Sequence, residues 1–347
     1  MTITISISLL LKFILLFLIL LSFNIIYLAY KKHTDNKGQH IKKLYILENE
    51  LIWFHYFRDG ATVPNELIPR NRYEVEAIEE IFFVYLHNLK SPTVVEKISY
   101  FSNEHLYHYF KKDLQSRRWS NRMNAMQKIV DFKIDRLVDD CLRLNQAKLS
   151  SEEQFLFLKV IANLREDDFI NQLLNTQGVF SEYEYKRIFM DLHDDIFEEL
   201  LVDLHLLPAI AQYAVIDLIG MKRDVDCLEF LNKALKSEDQ EVGIRSLKAI
   251  YEIGVVDDIA PYAPFSESSV WEERLMFTKL LTYMPSHSAL PYLHRLIKDE
   301  SWSVRLQAAR VIVNYKDGQT ILRNIIETET DKFAVDMASS FLEEGDN

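Results

Sequence analysis

Trp119–Lys133, WSNRMNAMQKIVDFK, and Trp302–Lys316, WSVRLQAARVIVNYK, are two versions of one segment. Trp, Ser, Arg, Ala, Ile, Val and Lys fall at matching places, 183 residues apart. A helix-length segment that returns at such a distance points to a stacked helical repeat. Intermediate copies bridge the gap. From Arg305, steps of 31 lead back to Arg274, Gly243 and Gln212; steps of 27 and 32 then reach Tyr185 and Glu153, and a last step of 31 reaches Arg122.

At each of these anchors the third, fourth and seventh residues onward are apolar or small, which places them as one stripe on a helix. The sets are Ala308, Ala309 and Ile312; Phe277, Thr278 and Leu281; Ser246, Leu247 and Ile250; Val215, Ile216 and Ile219; Ile188, Phe189 and Leu192; Leu156, Phe157 and Val160; and Ala125, Met126 and Ile129. A second helix is predicted in the intervals, as in Ala289–Ile297, Cys227–Leu235, Arg136–Leu144 and Thr320–Ile326. Pro291 and Pro261 are expected near the starts of their helices, where a missing N–H costs little. Lys236–Asp239, Asp317-Gly318 and Pro285–Ser288 read as short polar turns. The expected fold class is all-α, an α-solenoid of stacked helix pairs.

With these segments in view, the chain resembles the HEAT-repeat family in its short bacterial form. The carrying residues are Val304-Arg305-Leu306-Gln307-Ala308-Ala309, with Asp299 six residues before Arg305 as in that family's Asp–Arg ladder. The stretch Val242–Gly254 follows the same frame with Gly243 where Arg is usual. The resemblance is good over residues 205–340 and fainter over 92–200. It implies a shape and a binding role, and no reaction.

The N-terminus is a different material. Leu9–Tyr30, LLLKFILLFLILLSFNIIYLAY, holds one charged side chain, Lys12. As a helix its 22 residues would extend about 33 Å, enough for a hydrocarbon core of about 30 Å. Tyr27 and Tyr30 sit where an aromatic belt belongs. A cleaved signal peptide would have a basic start and a small-x-small exit; MTITISIS and Tyr27-Leu28-Ala29-Tyr30 offer neither. Lys31, Lys32, Lys37, Lys42 and Lys43 crowd the C-terminal flank, so the positive-inside rule puts the body in the cytoplasm and the N-terminus outside. The expected organisation is a transmembrane anchor in 1–30, a basic juxtamembrane linker in 31–43, an aromatic-rich helical cap or juxtamembrane unit in 44–91, and the repeat body in 92–347. Phe341-Leu342 and Ala334–Ala338 would close its C-terminal end.

Composition narrows the function. Residues 44–347 carry 34 Lys+Arg against 51 Asp+Glu, a net of −17. Such a body repels a phosphate backbone, and no basic stripe offsets it, so no nucleic acid is expected as partner. With 8 Gly and 8 Pro in 347 residues, Gly-rich phosphate loops are absent, as are a zinc-protease His pair and a serine nucleophile elbow. Cys141 and Cys227 lack metal-ligand spacing and read as buried free thiols. His105 and His108, three apart, could share a helix face but more often flank aromatic packing. Asp191, His193, Asp194, Asp195, Glu198 and Glu199 form an acidic cluster that suits either a hard cation or a solvated helix junction. No cofactor, metal or enzymatic activity is expected.

The candidate partner-binding or repeat-seam residues are Trp119, Arg122, Trp271, Arg274, Trp302 and Arg305. The tryptophans either seal the seam between successive repeats or form an exposed aromatic platform. The arginines either brace turn carbonyls and neighbouring carboxylates or line a groove for an anionic partner. The expected function is a membrane-tethered scaffold for a protein partner with a basic face, of which an accessory subunit of a membrane enzyme complex is one form. The alternatives are a lyase-type enzyme, since some HEAT-like proteins act as chromophore lyases, and a purely architectural spacer.

Overall fold

The computed structural model describes residues 7–60, 62–89, 91–144, 148–176 and 180–345. Among them the chain is helical throughout, with no strand. It divides into two compact units, Met1–Arg165 and Glu166–Asn347, so the boundary falls inside the stretch read as one repeat body.

The first unit starts with α1 (Ile7–Arg58), 52 residues without a proline. At a rise of 1.5 Å per residue it is about 78 Å long. Residues 11–30 are exposed on every side. The one serine there, Ser22, donates its Oγ–H to the Leu18 carbonyl at 2.9 Å, so this hydroxyl presents no unmet donor to an apolar surrounding. The helix then runs unbroken through 31–43, where a linker was expected. Nothing in KKHTDNKGQHIKK stops it: no proline occurs, and the single glycine costs only about 1 kcal/mol.

From Gly38 onward α1 docks on α2 (Arg72–Asn88). Gly38 is buried against the Tyr73 ring, where a Cβ would collide with the ring carbons. Lys42 pairs with Glu80 at 2.6 Å. Asn71 caps α2, its side chain accepting from the Tyr73 and Glu74 amides. The core of this region is aromatic. Trp53 is fully buried, stacks on Phe57 at 5.5 Å, and meets the edges of Phe82 and Phe101 at 5.2 and 4.9 Å.

Phe101 ends α3 (Pro92–Phe101), and a π-helical turn, Ser102–Leu106, joins it to α4 (Tyr107–Leu114). That turn frees the Asn103 carbonyl, which accepts from Arg136 Nη1 at 2.9 Å. Next come α5 (Trp119–Asp131), the short α6 (Val138–Leu142) and α7 (Ser151–Leu164), with α5 packed on both α4 and α7. Phe132, at the end of the repeated Trp segment, packs edge-on to Phe82 at 5.3 Å, so the aromatic segment 44–91 shares a core with the first repeat helix.

The second unit holds α8 (Phe169–Asn175), α9 (Glu182–Phe189), α10 (Asp194–Val202), α11 (Ala209–Lys222), α12 (Leu228–Ala234), α13 (Gln240–Ile253), α14 (Trp271–Leu280), α15 (Ser286–Leu296), α16 (Trp302–Val313), α17 (Gly318–Thr328) and α18 (Lys332–Gly345). The anchored helices pack each on the next: α9 on α11, then α13, α14, α16 and α18. The intervening α12, α15 and α17 lie beside them. Between α13 and α14 a 3-10 segment, Ala260–Glu267, takes the place of an α-helix, because Pro261 and Pro264 remove two amides from it. Gly220 lets α11 and α13 close together; a Cβ there would lie 2.9 Å from the Ala249 Cα.

All seven anchors sit in helices, and all 21 residues of the predicted stripes are buried, including Ser246 and Thr278. Two local expectations are corrected. Pro291 lies inside α15, five residues past its start, not at its first turn. Ser286–Ser288, read as a turn, is that first turn. Pro285 fixes an extended entry, and the helix begins directly after it.

Candidate partner-binding site

Each repeat arginine is committed to the fold. Arg122 Nη1 donates to the Ser116 carbonyl at 2.9 Å, Arg274 Nη1 to the Ser268 carbonyl at 2.7 Å, and Arg305 Nη1 to the Asp299 carbonyl at 2.7 Å, in every case six residues back. These carbonyls lie in the turns before the helices, where helical partners are missing. The remaining nitrogens reach one repeat forward. Arg122 Nε donates to Glu153 at 2.6 Å, and Arg274 grips both oxygens of Asp299. Asp299 thus joins two arginines, giving its carboxylate to Arg274 and its carbonyl to Arg305. At the position equivalent to Asp299, one step of 31 further on, stands Thr330, which has no carboxylate to offer Arg305. Arg305 Nε accordingly is buried with no hydrogen-bond partner among the described residues. Its guanidinium lies 4.9 Å from the Phe333 ring centroid.

Trp119 joins the same construction. Its indole N–H donates to Ser150 Oγ at 3.1 Å, and Ser150 and Glu153 form the capping box of α7. Trp119 and Arg122, one turn apart on α5, therefore hold the two halves of that cap. The pairs are 31 residues apart, as are several other bonded pairs, among them Lys186 with Asp217 and Lys298 with Glu329. The sequence period reappears as a period of hydrogen bonds.

The tryptophan rings are not consumed in this way. Trp119, Trp271 and Trp302 are between 41% and 59% exposed, each at the first position of its helix. In the second unit the row has a third member that the reading of repeated tryptophans missed. Phe333, 31 residues beyond Trp302, is exposed near the start of α18. The signal was the step itself: from Trp271 to Trp302 to Phe333 is 31 and 31. Glu272 and Glu273 follow Trp271, and Glu300 precedes Trp302, so carboxylates border the aromatic row.

A second polar cluster also escaped the sequence reading. Lys186 Nζ contacts Glu182 at 2.6 Å and Asp217 at 2.7 Å, while Arg245 Nη1 contacts the same two carboxylates at 3.0 and 2.6 Å. Arg245 Nε takes Glu241, and its guanidinium lies over Tyr213. Burial alone would push the Glu182 carboxyl up, but Lys186 and Arg245 hold it down at about 2. With α9, α11 and α13 each contributing, the cluster pins three helices together. Every charge in it already has a partner.

The remaining candidates dissolve into packing. His105 lies against Phe101 with ring centroids 4.8 Å apart, and burial lowers its pKa. His108 lies edge-on to Tyr107 instead. Asp194 and Glu198 line a cavity of about 550 Å³ together with Lys222, Arg223 and Cys227. No group of three or more His, Cys, Asp or Glu is placed to hold a metal ion among the described residues. Both cysteines are buried and free, and burial pushes each thiol up to about 12. No protein-family model matches the chain, and no curated protein matches it.

Proposed function

We propose that this protein is a membrane-tethered scaffold: a HEAT-like α-solenoid body that holds a protein partner beside the inner membrane. In this reading α1 crosses the bilayer through residues 9–30, the N-terminus lies outside, and the body lies in the cytoplasm. The period of 31 residues in sequence and in hydrogen bonds supports a stacked repeat. The observation that carries the binding role is the division of labour at the helix starts. The arginines are spent on carbonyls and carboxylates, whereas Trp271, Trp302 and Phe333 stay exposed at one register. Large aromatics left on a surface are the residues that dominate protein–protein affinity.

The bordering carboxylates and the −17 body select a partner with a basic face. Tethering confines the partner search to the membrane surface, so a modest intrinsic affinity suffices. The test is affinity capture of the full chain from detergent-solubilised membranes. A stoichiometric protein that is retained by the wild type and lost with Trp271→Ala combined with Trp302→Ala supports the scaffold. Unchanged capture by that variant would remove the aromatic row from the binding surface. Turnover of a substrate by the purified chain alone would replace the scaffold with an enzyme.

A further inference from the structure

Beyond the apolar segment, α1 has two faces. Tyr45, Asn49, Trp53, Tyr56 and Phe57 are buried against the rest of the first unit. On the opposite side, Leu44, Leu47, Leu51 and Phe54 are between 41% and 73% exposed. Their spacing is three, four and three, the a/d spacing at which two helices interlock. Within residues 9–30 nearly every position is apolar, so the frame is informative only past Lys31. There Leu44 and Leu51 take a, and Leu47 and Phe54 take d.

The flanks of this seam are complementary to themselves. In that frame Lys43 and Glu50 fall at g, and Glu48 and His55 fall at e; all four are exposed. In a parallel pair each g residue faces the e residue five positions later on the other helix. That sets Lys43 against Glu48 and Glu50 against His55. Among the described residues none of the four joins an ion pair within its own chain, although neighbouring Lys42 does.

We infer that two copies of this chain pair in parallel along α1, with Leu44, Leu47, Leu51 and Phe54 of each as the seam. Lipid is a poor occupant for this row. Leu44 lies about 21 Å of helix beyond Tyr30, past a headgroup layer of about 5–8 Å. A second copy anchored by the same segment presents the same row at the same height, and antiparallel pairing would put the two apolar segments at opposite ends. Two heptads alone make a weak coiled coil, but confinement to one membrane raises the effective concentration of the second helix. The parallel register rests on the membrane reading proposed above; the pairing face does not.

The experiment is disulfide cross-linking of the full chain in native membranes. Leu47→Cys and Leu51→Cys report the seam, and Val84→Cys, exposed on α2, is the control. Buried Cys141 and Cys227 keep the background low. Mild oxidation is expected to give about tenfold more covalent dimer at Leu47→Cys and Leu51→Cys than at Val84→Cys. Bonds at both positions mark parallel register, because an antiparallel pair can set a residue against its own copy only at one crossing point. Lys43→Glu should cut the yield several-fold, and adding Glu48→Lys should restore it. Yields no higher than the control, with the same thiols reacting freely with a maleimide, would overturn the pairing. Carbonate extraction of the same samples decides the anchor separately. If the chain is washed off the membrane, light scattering of the released chain reads the pairing directly, a dimeric mass upholding it and a monomeric mass ending it.

Discussion

Arg274 and Asp299 meet through two hydrogen bonds, Nε to Oδ2 at 2.6 Å and Nη2 to Oδ1 at 2.8 Å, with each side chain only 8% exposed. The two residues lie 25 apart, on either side of α15. The pair therefore ties the start of α14 to the turn that launches α16, and the Asp299 carbonyl passes the link on to Arg305. A guanidinium is the one cation that can satisfy a carboxylate in a fork and still donate backwards to a turn.

Removing one partner strands the other's charge in a buried place. Arg274→Ala is expected to cost about 3 kcal/mol, read as a lower midpoint in chemical denaturation. Arg274→Lys should recover only part, because an ammonium cannot fork. A loss below about 0.5 kcal/mol for the alanine variant would mean that the pair behaves as a surface ion pair.

The Glu182 cluster predicts an acid response. Its carboxyl is held at about 2 in the fold, against an ordinary 4.5. A depressed carboxyl contributes stability that is whole above its unfolded pKa and is lost as pH falls from about 4.5 towards 2. Glu182→Gln should therefore destabilise at neutral pH and flatten the fall in denaturation midpoint between pH 5 and about 3. Parallel curves for the two proteins would show that Lys186 and Arg245 do not act on this carboxylate. The group is about one-third exposed, so solvent screening limits the size of the effect.

The cysteines give a probe of the native state. Burial pushes both thiols up to about 12, so almost no thiolate exists at pH 8. Native protein should react with a disulfide reagent far more slowly than unfolded protein, with Cys141 the slower of the two, since Cys227 borders the cavity shared with Lys222 and Arg223. One fast equivalent in the native protein would place a thiol in reach of solvent.

The apolar triplets were legible because a helix imposes its period on whatever must be buried: once Arg305 and Arg122 fixed the register, Ile312 and Ile129 followed. The committed arginines were legible too, since residues of fixed register beside turns have few other partners. Three things were not. Helix continuation through 31–43 carries no positive signal in sequence, only the absence of a stop. Phe333 shares the register of Trp271 and Trp302 without sharing their residue type, so only its position, 31 residues past Trp302, marks it. The cluster of Lys186, Asp217 and Arg245 is built from ordinary surface-type residues, and only their convergence from three helices distinguishes them.

Position within the helix should also separate surface from core energetically. Trp302→Ala removes a ring that is mostly solvated, and is expected to cost no more than about 1 kcal/mol. Ile312→Ala, on the same helix and fully buried, should cost about 2–5 kcal/mol. Trp119→Ala should exceed Trp302→Ala by about 1 kcal/mol, because it also removes the bond to the Ser150 cap. Equal and large losses for both tryptophans, read by thermal unfolding, would make them seam residues and not a free surface.

The proposed topology turns on which flank of residues 9–30 carries charge. Lys31, Lys32, Lys37, Lys42 and Lys43 all follow the apolar segment, and the one acid among them is Asp35. Lys42 is engaged with Glu80 and Lys43 flanks the pairing face inferred above, which leaves Lys31, Lys32 and Lys37 closest to the membrane surface. Counted within one short flank, that bias is what the proposed cytoplasmic placement of this side rests on. A phosphatase reporter fused after Asn347 should then be inactive, and protease added outside intact cells should spare the body. Replacing Lys31, Lys32, Lys37 and Lys43 with glutamine, while adding three lysines before Leu9, should turn the anchor around and activate the reporter. An active reporter on the unaltered chain would reverse the orientation and put the acidic body on the outer face.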